Sequence, residues 1–167
     1  NDNTVMFNLL PAWFEPGKSL LHTNFKLSSI GETIFLYSPS QQQLSMLSFP
    51  YMQLDNSFGC KPNGSATLVY FGIPTPDSTN NGSTGYANYT ADPGLSLPAG
   101  FYTGIQTISA ANSSPGAVMR YTTNGSVPKT TSPVFPAQLN IDTAKVIRVR
   151  AFSPVLSGTL PSEIITN

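Results

Sequence analysis

Proline and glycine set the first limit on what this chain can fold into. Fifteen Pro and 13 Gly are spread along 167 residues, and every candidate amphipathic helix is interrupted before about three turns are complete. What remains between the interruptions are short runs of β-branched and aromatic residues. Residues 5–10, 20–27, 33–37, 43–49, 66–71, 95–99, 105–111, 117–123, 134–140, 145–152 and 163–166 read as strands, separated by Asx, Ser, Pro and Gly turns. The expected fold class is therefore all-β.

The clearest local signal is Tyr121-Thr122-Thr123-Asn124-Gly125-Ser126-Val127-Pro128. Asn-Gly between two strand-like runs is the signature of a type I′ hairpin, whose two central residues both need positive φ. A second feature divides the chain. From residue 73 to 94 the composition shifts to Pro, Thr, Ser, Asn and Gly, as expected of a linker, which places a boundary near residue 85 and two domains at 1–84 and 85–167.

Composition enters where it excludes functions. Charged residues make up 10% of the chain, against about 25% in ordinary soluble domains, and the net charge is zero. No basic patch is offered to a nucleic acid: Lys145, Arg148 and Arg150 are the only close group, and their alternation reads as a solvated sheet face. One cysteine, Cys60, rules out an internal disulfide. The longest apolar run, residues 5–12, is far shorter than a membrane span and contains Asn8. No segment has the order of a signal peptide, so a secreted form would be the mature chain or a piece of it.

Candidate chemistry is sparse. His22 and Cys60 are each the single residue of their type, so any Cys-His nucleophile pair would have to be built from them, and Cys60 carries no flanking nucleophile signature. The eight Asp and Glu residues are too dispersed to suggest a glycosidase pair. Asp55-Asn56-Ser57 reads as an Asx turn, since the train of acidic ligands of a calcium loop is absent. No catalytic residue, metal ligand or cofactor is therefore assigned. The glycan-binding candidates are the aromatics Trp13, Tyr86 and Tyr89, because apolar sugar faces stack on such rings and these three lie near turns or in the linker. Asn63, Asn81, Asn88, Asn112 and Asn124 each begin an Asn-x-Ser/Thr sequon in loops that tolerate polar exposure.

Two family resemblances complete the reading. Residues 22–80 resemble the C-terminal part of the lamin-tail domain, an immunoglobulin-like β-fold. The resemblance is carried by His22-Thr23-Asn24-Phe25-Lys26-Leu27-Ser28, Gly31-Glu32, Leu36-Tyr37, Phe49-Pro50, then Asp55, Ser57, Phe58, Gly59, Pro62, Gly64, Thr75-Pro76 and Asn80. It departs at Cys60, Asn63 and Asp77, and only 21 residues precede His22, so the early strands would be shortened or absent. Its implied core is Phe25, Leu27, Ile34, Leu36, Phe49 and Phe58. Residues 90–167 resemble the chitobiase and β-hexosaminidase C-terminal domain through Gly100-Phe101-Tyr102-Thr103-Gly104, Arg120 to Pro128 with Asn124 at an Asp position, and Pro161-Ser162-Glu163-Ile164. Tyr102 and Tyr121 would be core residues of that fold.

Together the resemblances imply two small immunoglobulin-like β-sandwich modules, the first truncated. They also imply a non-catalytic extracellular or cell-surface role in a larger bacterial protein, spacing or presenting neighbouring domains. The expected partners are those domains or cell-surface molecules, with polysaccharide as the alternative, and neither nucleic acid nor a membrane span is expected.

Overall fold

A computed structural model describes the backbone of residues 4–8 and, with their side chains, residues 26–76, 78–153 and 158–167. The described residues form strands and turns and no helix, which bears out the all-β expectation. By contact the chain falls into two compact units, 1–58 and 59–167.

Among the described residues the first unit is built on one sheet. β2 (Gly31–Tyr37) lies between β1 (Thr4–Asn8), to which it is parallel, and β3 (Gln43–Pro50), to which it is antiparallel. The Thr33-Ile34-Phe35 run supplies the β-branched and aromatic residues that favour this pleat. Around the β2–β3 turn the Ser38 N–H donates to the Gln42 carbonyl at 2.8 Å, and Gln41 takes φ 62°. Gly31 could not be replaced easily: its φ is 110°, and a Cβ there would sit 3.0 Å from the Phe49 carbonyl oxygen. Of the core implied by the lamin-tail resemblance, Phe49 is buried, Ile34, Leu36 and Phe58 are half-buried, and Leu27 is exposed; Phe25 lies outside the described residues.

Among the described residues most of the buried apolar side chains belong to the second unit. β4 (Ser57–Cys60), whose last two residues belong to this unit, pairs with β5 (Leu68–Phe71), where Tyr70 and Phe71 are buried. Short ladders follow: β6 (Asn88–Tyr89) parallel to β13 (Thr159–Leu160), and β7 (Gly94–Leu95) antiparallel to β9 (Ala110–Ala111). β8 (Gln106–Ile108) pairs with β11 (Leu139–Ile141). β12 (Arg148–Phe152) is central in a sheet between β10 (Val118–Thr122) and β14 (Ile165–Thr166). The core joins the β8–β11 ladder to this sheet: Ile108, Phe135, Ile147 and Val149 are buried, with Leu95, Leu97, Ala110, Met119, Tyr121, Leu139 and Ile141 packed against them. Two ladders closed over one apolar core make a small β-sandwich.

Several local expectations are corrected. The run 105–111 is two strands, because the chain changes ladder at Ser109, whose N–H donates to Ser96 Oγ while its carbonyl accepts from the Ser96 N–H. Asn124-Gly125 does not close a two-residue hairpin. Of the pair only Gly125 has positive φ, 75°, and β10 takes β12 as its ladder partner. The chain returns beside β10 only at residues 133–135, where Arg120 bridges Val134 and the Phe135 N–H donates to the Met119 carbonyl at 2.8 Å. Pro128 and Pro133 cannot donate to a ladder, which widens the excursion. Arg148 and Arg150 do lie on the outward positions of β12, yet neither is freely solvated. Arg148 Nη1 donates to the Gly125 carbonyl at 3.0 Å and Arg150 Nε to the Ser162 carbonyl at 2.8 Å. Burial lowers the Arg150 pKa, and Glu163 opposes that shift.

Residues 73–94, linker-like in composition, are bonded at several points. The Tyr70 and Tyr86 backbones exchange bonds at 2.8 and 2.9 Å, the Ala87 N–H donates to the Gly158 carbonyl at 2.7 Å, and the Thr90 N–H donates to the Leu160 carbonyl at 2.8 Å. Side chains add further bonds: the Asn63 N–H donates to Asn81 Oδ1 at 2.8 Å, and the Asn80 N–H donates to Asn63 Oδ1 at 3.1 Å.

Candidate functional site

The three glycan candidates do not come together as a described surface. Trp13 lies outside the described residues, as does His22. Tyr86 is half-buried and its backbone is bridged to Tyr70. Tyr89 sits on β6 with its ring 4.7 Å from that of Tyr70, tilted by 58°. The Tyr89 ring therefore packs within the second unit. Cys60 is a half-buried free thiol at the end of β4. Among the described residues no three His, Cys, Asp or Glu side chains gather, and no helix is long and apolar enough to cross a membrane.

A different feature emerges at one end of the sandwich. In the β8–β11 ladder Gln106 lies opposite Ile141, so the loop that enters β8 and the loop that leaves β11 share an end. Between them is a groove of about 530 Å³. Its apolar lining includes the buried core residues Ile108 and Ile147, and Ile141 packs against that core. Asn167 braces the groove: its backbone exchanges bonds with Ile147 at 2.7 and 2.8 Å, and its Nδ2 donates to the Leu97 carbonyl.

The loop from Leu97 to Gln106 has a sequence that keeps aromatic side chains out of the core. Pro98, Gly100 and Gly104 interrupt any ladder, and Gly104 takes φ 75°. Tyr102 Oη donates to the Pro98 carbonyl at 2.8 Å, which folds the ring back over Gly100, where a Cβ would come within 3.3 Å of it. The ring is thereby fixed while 45% of the residue stays exposed. Its neighbour Phe101 is fully exposed, and Ile105 is 70% exposed. Tyr102 is therefore not the core residue the resemblance implied, whereas Tyr121 is: its ring meets that of Phe135 edge-on at 5.3 Å.

The opposite loop supplies charge. Lys145 Nζ donates to Asp142 Oδ1 at 3.0 Å, and Thr143 Oγ1 donates to the same oxygen at 3.3 Å. The hydrogen bond from Lys145 leads the causes that lower the Asp142 pKa, so its carboxylate stays ionised to lower pH than usual. The Asp142 side chain is 64% exposed and that of Lys145 32%. The groove thus combines aromatic faces, a polar pair and an apolar floor, the mixture found in small-ligand sites of roughly 300–1,000 Å³. Sequence reasoning missed it by assigning Tyr102 to a core motif. The available signal was an adjacent aromatic pair held between Pro98, Gly100 and Gly104, outside any alternating run.

Residues 97–162 match the family model of the chitobiase/beta-hexosaminidase C-terminal domain. The matched stretch lies within the second unit and includes both groove loops, together with the Gly100 to Gly104 and Arg120 to Pro128 motifs. Nothing found supports a lamin-tail domain in residues 22–80. No curated protein and no solved structure matches the chain.

Proposed function

We infer that this chain is a non-catalytic accessory segment of a larger secreted or cell-surface protein, where it spaces or presents neighbouring domains. The observation that carries this reading is the family match over residues 97–162, a domain named for its C-terminal place in chitobiase and β-hexosaminidase. A small sandwich with a buried apolar core suits that role, because it holds its shape without supplying reactive groups. The lamin-tail resemblance rests on the order of short motifs alone and takes no part in the reading. Carbohydrate binding accessory to a glycoside hydrolase or adhesin is a second reading, favoured by the groove.

The test is to detect the native product in cell fractions with an antibody raised against this chain. The expected product is a polypeptide larger than 17.9 kDa in the medium or at the cell surface. A free-standing cytoplasmic species of that mass would overturn the reading.

A further inference from the structure

We propose that the groove between the Leu97–Gln106 loop and the Ile141–Ile147 loop binds a neutral saccharide, with Phe101 and Tyr102 as stacking faces and Asp142 and Lys145 as hydroxyl partners. This rests on the carbohydrate-binding reading of the groove and deepens it by naming the ligand class and the side chains that hold it; a spacer alone needs no ligand. Three observations meet in it. A fully exposed Phe101 beside a half-exposed Tyr102 leaves unburied the aromatic surface that folding normally covers. Tyr102 is fixed in place by its bond to the Pro98 carbonyl, so its ring loses little freedom when a ligand arrives. Asp142 and Lys145 stand 3.0 Å apart on the facing loop, presenting an acceptor and a donor side by side.

That combination fits a sugar, which carries apolar C–H faces flanked by vicinal hydroxyls that both donate and accept. An aromatic ring takes the face, and an adjacent carboxylate and ammonium take the hydroxyls. The charge pattern argues against a protein partner, because the centres of protein interfaces are depleted of charged residues, whereas here an ion pair lines the groove. It argues equally against an anionic ligand. The Lys145 ammonium is already paired with Asp142, and the sign of the local charge is balanced.

The experiment uses the full chain on an array of neutral and anionic glycans, followed by calorimetric titration with the neutral oligosaccharides retained. Cellohexaose and chitohexaose are included as fixed probes. Binding to at least one neutral glycan is expected. Phe101→Ala and Asp142→Ala should each weaken it by about 10-fold, while the melting temperature stays as it is in Phe101→Ala and falls only slightly in Asp142→Ala, because both side chains are exposed. Ile73→Ala, which removes another exposed apolar side chain outside the groove, should leave affinity as it is. Should either groove variant fold poorly, amide shift mapping on the wild-type chain decides, with perturbations expected at residues 97–106 and 141–147. No binding to any neutral glycan, a preference for sulfated or uronic glycans, full affinity in folded Phe101→Ala, or perturbations centred on Trp13 would each overturn the proposal. None of these outcomes bears on whether the chain is an accessory segment of a larger protein.

Discussion

Substituting Gly125 isolates the energetic cost of the turn after β10. Its φ is 75°, and a Cβ would meet Val146 at 3.7 and 3.8 Å, ordinary contact distances. The conflict introduced by a side chain is therefore with its own backbone. Both flanking bonds, the Gly125 N–H to the Val146 carbonyl and Arg148 Nη1 to the Gly125 carbonyl, use backbone groups that every variant keeps. A non-glycine residue in the left-handed region costs about 1–2 kcal/mol. Reduced freedom of the unfolded chain returns about 0.4–1 kcal/mol of that. Gly125→Ala should then destabilise the second unit by about 1 kcal/mol, a fivefold change in its folding equilibrium. Gly125→Val adds β-branching at an already disfavoured φ and should cost about 2–3 kcal/mol, while Gly125→Asn should cost only a few tenths. Native-state hydrogen exchange of the β10–β12 amides reads this unit directly. Exchange in Gly125→Ala equal to wild type, or a Gly125→Asn variant as weak as Gly125→Val, would refute the argument.

Ser162 is fully buried, and its Oγ accepts from the Ala151 N–H at 2.8 Å while donating to the Glu163 carbonyl at 2.7 Å. Ser162→Ala removes both bonds, takes away the Ala151 N–H's acceptor at a buried site, and should cost about 1–3 kcal/mol in urea unfolding; a loss below about 0.5 kcal/mol would show the hydroxyl to be dispensable. Tyr89→Ala removes the ring packed on Tyr70 and should lower stability by about 1–3 kcal/mol without changing affinity for any glycan the chain binds. A stable Tyr89→Ala variant with lost affinity would return Tyr89 to the site. The folded pKa of Asp142 lies below its ordinary value of 3.8, so the stability it contributes is present above pH 3.8 and is lost as pH falls through the lowered value. Because the pair is solvent-facing, the effect should be small and should shrink with added salt. A carboxyl-carbon NMR titration checks it: Lys145→Ala should move the Asp142 midpoint back up toward 3.8, and an unmoved midpoint would contradict the assignment.

The fold class was legible because Pro and Gly spacing excludes helices whatever the tertiary context. Strand alternation was also legible where packing enforces it. Val149 and Ala151 point into the core from β12, while Arg148 and Arg150 take the outward positions. Partner choice was not. Asn124-Gly125 carries a strong local signal, but Val149 and Ala151 on β12 complete the core beside β10, and that packing outweighs the turn preference of two residues. Composition made residues 73–94 look like a linker, since it cannot reveal that Asn80, Asn81 and Thr90 find partners far along the chain. The groove escaped for a similar reason. Phe101 and Tyr102 are hydrophobic by type, and only the tertiary arrangement of their Pro- and Gly-rich loop leaves them outside the core.

The central claim, that this chain performs no chemistry of its own, is met most directly by a turnover measurement. The purified chain is incubated with a panel of nitrophenyl glycosides and polysaccharides, and released nitrophenol and reducing ends are followed over time. Rates equal to those of buffer alone are predicted for every substrate. Turnover that scales with protein concentration and disappears in His22→Ala or Cys60→Ala would contradict it.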